Sequence, residues 1–262
     1  MNREPEKNQG PQSERWREIQ GENNWKGLVD PMDPLLRREI IHSFNFNTYC
    51  KYCGTCNYPM NSFFRALGMD HFGYEMSRYL YATSSSNLRR FFRKSLRVQP
   101  GARKRLDRRR DIVFAWRDTV TYLEWVEDLK INQVKPKFGP DDKVRVESGF
   151  LDLYNSKEPA CNYCSPVISK TRCLMERCKA EGNELSITIT GHSLGGTLAI
   201  LSAYDIAETG LNVLPDGPCV PITVFTFGSP RVEVRSKIFN ITLFIIHGLK
   251  REYIHNVTSI QW

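Results

Sequence analysis

Five residues in the second half of the chain have the types and spacing of a nucleophilic serine site. Gly191-His192-Ser193-Leu194-Gly195 is a G-x-S-x-G sequence, with a glycine two positions to either side of a serine. A serine on a sharp strand-to-helix turn has a strained backbone, so its neighbours two residues away must be small. Its oxygen then lies beside the first N–H groups of the helix, which stabilise an oxyanion. The spacing predicts acyl transfer with Ser193 as nucleophile; a glycine-rich turn with an incidental serine is the alternative.

The flanking sequence supplies the strand and the helix that this turn requires. Residues 185–190 (LSITIT) alternate polar and apolar and predict a strand, and the apolar spacing of 195–209 predicts a helix. Further strands are predicted at 111–116 and 221–227, and further helices at 119–130 and 165–181. Strands that alternate with helices at this spacing indicate an α/β fold, with a parallel sheet covered by helices.

The sequence around the turn resembles the class 3 (fungal-type) lipases, and within them the plant phospholipase A1 group. The resemblance rests on GHSLGGTLAILSAYDIAE, PITVFTFGSPRV, RRDIVFAWRDTVTYLEWVEDLK, ESGFLDLY, WREIQGENNWKGLVDPMDPLLRREII and KYCGTCNYP. It implies an α/β-hydrolase fold and hydrolysis of the sn-1 acyl ester of membrane glycerolipids. Phospholipids, galactolipids and triacylglycerols are the candidate substrates of such an enzyme. It also implies a chloroplast location and a reaction that needs no metal or other cofactor.

The resemblance assigns roles to the residues around the turn: Ser193 as nucleophile, Gly191, His192 and Gly195 as elbow residues, Leu194 and Thr119 as the oxyanion hole. Asp118 departs from the family, which has a glycine there. A carboxylate at this position adds negative charge near a site that must bind negative charge, and two unit charges about 4 Å apart repel by roughly 1 to 4 kcal/mol. We therefore expect Asp118 to weaken the oxyanion hole, unless its side chain points into solvent.

The base and the acid of a catalytic triad are not identifiable from the sequence. The family's order is serine, aspartate, histidine, but residues 232–262 contain no aspartate. His255 and His247 are the candidate bases, and Glu233 and Glu252 the only acids in this tail. We predict that no complete triad is present, which leaves two hypotheses: an active acyl hydrolase, and a catalytically impaired, lipid-binding or regulatory relative.

The resemblance covers about residues 15–232, and residues 233–262 diverge from the family. We predict a disordered segment at 1–13 and a single α/β-hydrolase domain over 14–262 that is incomplete on its C-terminal side, with KIFNITLFII as a replacement strand. No apolar run is long enough to span a bilayer. The N-terminus resembles neither a secretory signal nor a transit peptide, so the cytosol is the alternative location.

The formal net charge of +8 comes from one basic stripe at 89–110 rather than from the whole chain. We expect a glycerolipid substrate and no nucleic acid as partner. The stripe is interpreted as a solvated loop, or as a peripheral contact with an anionic membrane. The sequence gives no indication of the oligomeric state.

Eight cysteines in a chain without a secretion signal indicate thiols. Cys50, Cys53 and Cys56 precede a distant C-x-x-C pair formed by Cys161 and Cys164, a pattern that also fits zinc. We expect no metal, because the family has the first cluster without one. Residues 43–59, which hold this cluster, are rich in aromatic residues and turn formers and predict irregular structure.

Overall fold

The computed structural model describes residues 15–52, 63–66, 74–82, 91–98, 109–116, 132–136, 145–155, 166–180, 184–214, 217, 219–229, 241–247 and 250–254. Their strands are β1 (Tyr74–Ala82), β2 (Phe91–Val98), β3 (Arg109–Trp116), β4 (Gln133–Val134), β5 (Val146–Glu147), β6 (Glu184–His192), β7 (Ile222–Phe227), β8 (Ile241–His247) and β9 (Lys250–Ile254). Their helices are α1 (Trp16–Ile19), α2 (Pro34–Tyr52), α3 (Phe63–Ala66), α4 (Ser148–Tyr154), α5 (Pro166–Ala180) and α6 (Leu194–Glu208).

The main sheet has the strand order β1-β2-β3-β6-β7-β8-β9. The four central strands, β3, β6, β7 and β8, are parallel, and the pairs β1–β2, β2–β3 and β8–β9 are antiparallel. A separate antiparallel pair joins β4 to β5. The carboxyl ends of the parallel strands share one edge, because His192 pairs with Phe227 and Phe227 pairs with Ile246.

Helices cover both faces of this sheet. On one face α4, α5 and α6 bury the larger apolar cluster, which includes Ile187, Ile189, Leu198 and Leu201. On the other face, α2 and the turns before it bury a smaller cluster of Ile19, Trp25, Leu36, Phe225 and Phe227. No helix in the described part of the chain is both long enough and apolar enough to cross a membrane.

The face of the sheet that α2 covers also contains a buried group of hydrogen-bonded polar side chains. We call this group the polar layer; its members are Gln20, Asp111, Ser186, Thr188 and Thr223. Asp111 accepts hydrogen bonds from Ser186 Oγ at 2.8 Å and from Thr188 Oγ1 at 2.9 Å. Gln20 Nε2 donates to Thr188 Oγ1 at 3.2 Å, and Thr223 Oγ1 donates to the Gln20 carbonyl at 2.7 Å. The N-terminal turns are therefore bonded to two central strands, and these buried polar groups have partners as burial requires.

Asp33 caps α2 at the point where Pro34 begins the helix. Its Oδ1 accepts hydrogen bonds from the N–H of Leu35 at 2.8 Å and of Leu36 at 3.3 Å, and its Oδ2 accepts one from Arg15 at 3.1 Å. Burial alone would raise the pKa of this carboxyl, but the three hydrogen bonds together hold the pKa below its ordinary value. The cap and the proline fix where the helix starts.

Most predicted elements are present: β3, β6 and β7 occupy the predicted strand positions, and α5 and α6 the predicted helical ones. The apolar run KIFNITLFII (237–246) supplies all of β8 except its last residue, His247, and this strand adds to the sheet beside β7 as expected. The helix predicted at 119–130 and the disordered segment predicted at 1–13 lie outside the described residues.

Two expectations were wrong. Residues 43–52 are not irregular but continue α2, because Ser43, Phe46 and Asn47 are buried against the sheet and its neighbours. Residues 91–98 of the basic stripe are not a loop but strand β2, whose backbone pairs with both β1 and β3. In both places tertiary contacts override the local composition.

Candidate active site

Ser193 is the single residue between the end of β6 and the start of α6. Its backbone has φ 53° and ψ −128°, a combination outside the regions that L-residues favour. The strain of such a conformation is of the order of 1 to 3 kcal/mol, and it persists only where the surroundings impose it. The sharp strand-to-helix turn predicted for Ser193 is confirmed.

Two backbone hydrogen bonds hold this turn. The N–H of Ser193 donates to the carbonyl of Phe227 at 2.8 Å, and the N–H of Gly196 donates to the carbonyl of Ser193 at 2.9 Å. The first bond ties the serine to the last residue of the neighbouring parallel strand. The turn is therefore fixed by β7 as well as by its own helix.

The glycines permit an approach that no other residue type allows. A Cβ on Gly191 would lie 2.5 Å from the Gly196 nitrogen and closer still to the carbonyl of Gly195. A Cβ on Gly196 would lie 2.6 Å from the Cβ of Ser229. Gly191 lets the first turn of α6 lie against the end of β6, and Gly196 lets the helix lie against the segment after β7.

The first helical turn of α6 supplies N–H groups at the serine, since the first N–H groups of a helix have no acceptor within it. Leu194, predicted to provide one of them for the oxyanion hole, follows Ser193 directly, and its side chain is buried. Thr119 and Asp118 lie outside the described residues, so their predicted effects on the oxyanion hole stay predictions.

His192 lies on the α2 face of the sheet. Its ring meets the ring of Phe44 edge-on, with centroids 6.5 Å apart, and its Nε2 lies near Gly228. Phe44 in turn meets the ring of Phe227 at 5.1 Å. His192 therefore packs beside the elbow on the α2 face, and its predicted role as an elbow residue stays a prediction.

The structure brings one of the two candidate bases to the edge that holds Ser193. Strand β8 ends at His247, two strands from β6, which corresponds to about 10 Å across the sheet at the usual strand spacing. His255 lies outside the described residues. The absence of a complete triad therefore stays a prediction.

Two residues of this region escaped the sequence analysis. Ser229 is buried after β7, with its Oγ 3.4 Å from Thr197 Oγ1 on α6. Phe44 lies at the rim, although its segment was predicted to be irregular. The glycine and serine directly after the predicted strand at 221–227 were a signal for Ser229, whereas no local signal identified Phe44.

Among the described residues, no group of three or more His, Cys, Asp or Glu side chains is arranged to hold a metal ion. The cysteines proposed for zinc at 53, 56, 161 and 164 lie outside these residues. Within the described part of the chain, Cys173, Cys178 and Cys219 form no disulfide.

The model of the class 3 lipase family, Lipase (class 3), matches residues 113–250, which include β3, β6, α6, β7 and β8. The chain belongs to the class 3 lipase family. Its fold is the α/β-hydrolase fold: a fungal lipase crystal structure that is 14% identical matches with a TM-score of 0.52, over 75% of this chain and 63% of that one.

Plant phospholipases A1 and a galactolipase are among the relatives that this chain resembles. Phospholipase A1-Igamma1, chloroplastic, from Arabidopsis thaliana is 46% identical over 256 residues, which cover 83% of this chain and 49% of the relative. Galactolipase DONGLE, chloroplastic, from the same plant is 38% identical, over 85% of this chain and 52% of the relative. The chain thus spans about half the length of these relatives.

Proposed function

We propose that this chain forms the core of a serine acyl hydrolase that cleaves ester bonds of glycerolipids. The observation that carries the proposal is the strained backbone of Ser193 at the start of α6. Backbone strain of this kind persists only where the surrounding structure enforces the conformation, and it is common at active sites. The names of the relatives, phospholipase A1 and galactolipase, support a glycerolipid substrate.

In the proposed reaction, Ser193 Oγ attacks the carbonyl carbon of the acyl ester and its proton passes to a histidine, His247 or His255. The carbonyl oxygen becomes an oxyanion that accepts hydrogen bonds from the Leu194 N–H and at the Thr119 position. The protonated histidine then donates its proton to the leaving alcohol, and water hydrolyses the acyl-enzyme. The specific products are the lysolipid and the fatty acid released from the sn-1 position.

The first test is hydrolysis of a short-chain p-nitrophenyl ester by the purified chain and by Ser193→Ala. We expect the substitution to abolish hydrolysis and labelling by a fluorophosphonate, because both need the serine nucleophile. Ser148→Ala, which removes a hydroxyl at the start of α4, is the matched control. Equal rates for Ser193→Ala and the unsubstituted chain contradict the proposal.

The base is assigned by His247→Ala and His255→Ala. Loss of the proton acceptor generally costs several orders of magnitude in kcat, so only the variant that lacks the base should lose activity. If Ser193 is not labelled and the unsubstituted chain hydrolyses no ester, the lipid-binding relative without catalysis becomes the better description. For an active chain, positional analysis of the products from phosphatidylcholine and monogalactosyldiacylglycerol shows whether the sn-1 ester is the bond cleaved and which head group is preferred.

We also propose a chloroplast location, which is supported by the word chloroplastic in the names of three phospholipase A1 relatives from Arabidopsis thaliana. Fractionation of plant cells expressing the tagged full-length protein tests it, and recovery in the cytosolic fraction alone contradicts it.

Peripheral membrane contact through the basic stripe at 89–110 is a further proposal. It predicts that replacing Arg103, Lys104 and Arg105 with glutamine weakens binding to anionic vesicles.

A further inference from the structure

One face of α2 is exposed, apolar and basic. Ile41 and Phe44 are 48% and 44% exposed, and only one other large hydrophobic residue of the described part, Val213, is exposed to this degree. Arg37 and Arg38 are exposed one turn earlier on the same helix. At 3.6 residues per turn these four residues fall within an arc of about 120°. We call them the α2 patch.

The orientation of this patch is set by the opposite face of the helix. Thr190 of β6 donates its hydroxyl to the Ser43 carbonyl at 3.2 Å and accepts a hydrogen bond from Asn47 Nδ2 at 2.9 Å. Leu36 is completely buried in the smaller apolar cluster. Because these contacts with β6 and with the smaller apolar cluster fix the rotation of α2 about its axis, the α2 patch faces away from the sheet.

The patch begins at the rim of the candidate active site. The ring of Phe44 contacts the rings of Phe227 and His192, the last residues of β7 and β6. His192 directly precedes Ser193 in the chain, so the outer face of α2 and the nucleophile lie at the same carboxyl edge of the sheet. A surface bound to the patch would therefore lie next to the elbow.

The charges of the patch specify what such a surface must carry. In the part of the chain that the structure describes, neither Arg37 nor Arg38 forms an ion pair with a carboxylate. Glu39 lies about 200° around the helix from Arg37, outside the arc. Two arginines beside two exposed apolar side chains match an interfacial helix, with apolar groups at the acyl boundary and cations at lipid phosphates.

We propose that the α2 patch binds the surface of an anionic lipid bilayer and thereby holds the carboxyl edge of the sheet, with Ser193, next to that surface. Phe44 and Ile41 enter the boundary between head groups and acyl chains, and Arg37 and Arg38 pair with phosphates. This inference rests on the proposed function for its substrate class. It concerns a different surface from the basic stripe at 89–110.

The test measures binding of the full chain to vesicles by sedimentation, in a Ser193→Ala background so that no lipid is consumed. Vesicles of phosphatidylcholine with phosphatidylglycerol are compared with vesicles of phosphatidylcholine alone. Arg37→Gln/Arg38→Gln should lower the partition coefficient on anionic vesicles by about fivefold for each arginine. Ile41→Ser/Phe44→Ser should lower it by about tenfold on both vesicle types, because half-exposed apolar side chains leave water on binding.

Matched controls lie away from this edge. Val213→Ser removes an exposed large hydrophobic residue that follows the far end of α6, and Arg172→Gln removes an exposed arginine of α5. Neither should change vesicle binding. If Arg37→Gln/Arg38→Gln binds anionic vesicles as tightly as the unsubstituted chain, the proposal is wrong, since these exposed changes leave the core intact.

Two further outcomes separate this inference from its alternatives. If Ile41→Ser/Phe44→Ser abolishes self-association in the ultracentrifuge and leaves vesicle binding intact, the patch joins two copies of the chain and the proposal fails. If hydrolysis of the soluble ester survives Ser193→Ala while vesicle binding still depends on the patch, the proposed function fails and the patch assignment stands.

Discussion

Replacing Gly191 with alanine tests whether the close approach of β6 and α6 holds the elbow together. The new Cβ would lie 2.5 Å from the Gly196 nitrogen and closer still to the Gly195 carbonyl. All of these are backbone atoms, so no side-chain rotation relieves the overlap. Either the first turn of α6 moves away from the strand or the turn at Ser193 opens.

The size of the effect follows from the geometry. Carbon atoms in contact prefer separations of about 3.5 to 4.0 Å, so relieving the overlap with the Gly195 carbonyl requires a shift of the helix by more than about 1 Å. Overpacking of this kind costs about 1 to 3 kcal/mol, and an overlap with backbone alone belongs at the upper end. A misplacement of about 1 Å is also enough to lower a catalytic rate about a hundredfold.

Urea unfolding of Gly191→Ala and of Gly210→Ala provides the comparison. Gly210 has a positive φ of 65°, unlike Gly191, but no atom lies within 4 Å of its added Cβ, so alanine there has only a conformational cost of about 1 kcal/mol. We expect Gly191→Ala to lose at least twice as much free energy of unfolding. If it loses no more than Gly210→Ala, the close-approach argument is wrong.

Three other substitutions test the surrounding structure. Ser193→Gly should raise the free energy of unfolding by about 1 kcal/mol relative to Ser193→Ala, because glycine adopts this backbone without strain; equal urea midpoints for the two variants would contradict it. Asp33→Ala should cost about 1 kcal/mol at neutral pH as the cap of α2 is lost. Since the folded-state pKa of Asp33 is lowered, its stabilisation is present above the ordinary value of 3.8 and is lost as the pH falls through the folded value, so acid titration of both proteins should show the difference shrinking. Tyr154→Phe removes a 2.6 Å hydrogen bond to the buried Asp205 and should cost about 1 to 3 kcal/mol; a double-mutant cycle with Asp205→Asn that shows no coupling would refute this.

The elbow and the central strands could be predicted because their signals are local. Glycine spacing, a buried apolar run and helical periodicity all lie within a few residues of Ser193, and the structure has the turn where these signals indicate it. The apolar run at 241–246 was equally clear, and β8 lies beside β7. Such patterns are set by the residues within one short segment, so they can be recognised without knowing which distant residues the segment contacts.

The polar layer and the length of α2 could not be predicted in this way. The hydrogen bond between Gln20 and Thr188 joins residues 168 positions apart, and only the folded sheet makes them neighbours. One signal was available in retrospect: Ser186, Thr188 and Thr190 alternate along a strand that is buried on both faces. Hydroxyls facing a buried layer require partners, although the sequence does not say which ones.

The polar layer also has a consequence for protein engineering. The family model begins matching at residue 113, yet the hydroxyls of Thr188 and Thr223 bond to Gln20, and Phe225 packs on Ile19 and Trp25. An expression fragment trimmed to the matched range would expose that cluster and leave these hydroxyls without their partners. The unit that folds is therefore larger than the range that the family model matches, and an expression fragment should include the described N-terminal turns from Arg15 onward.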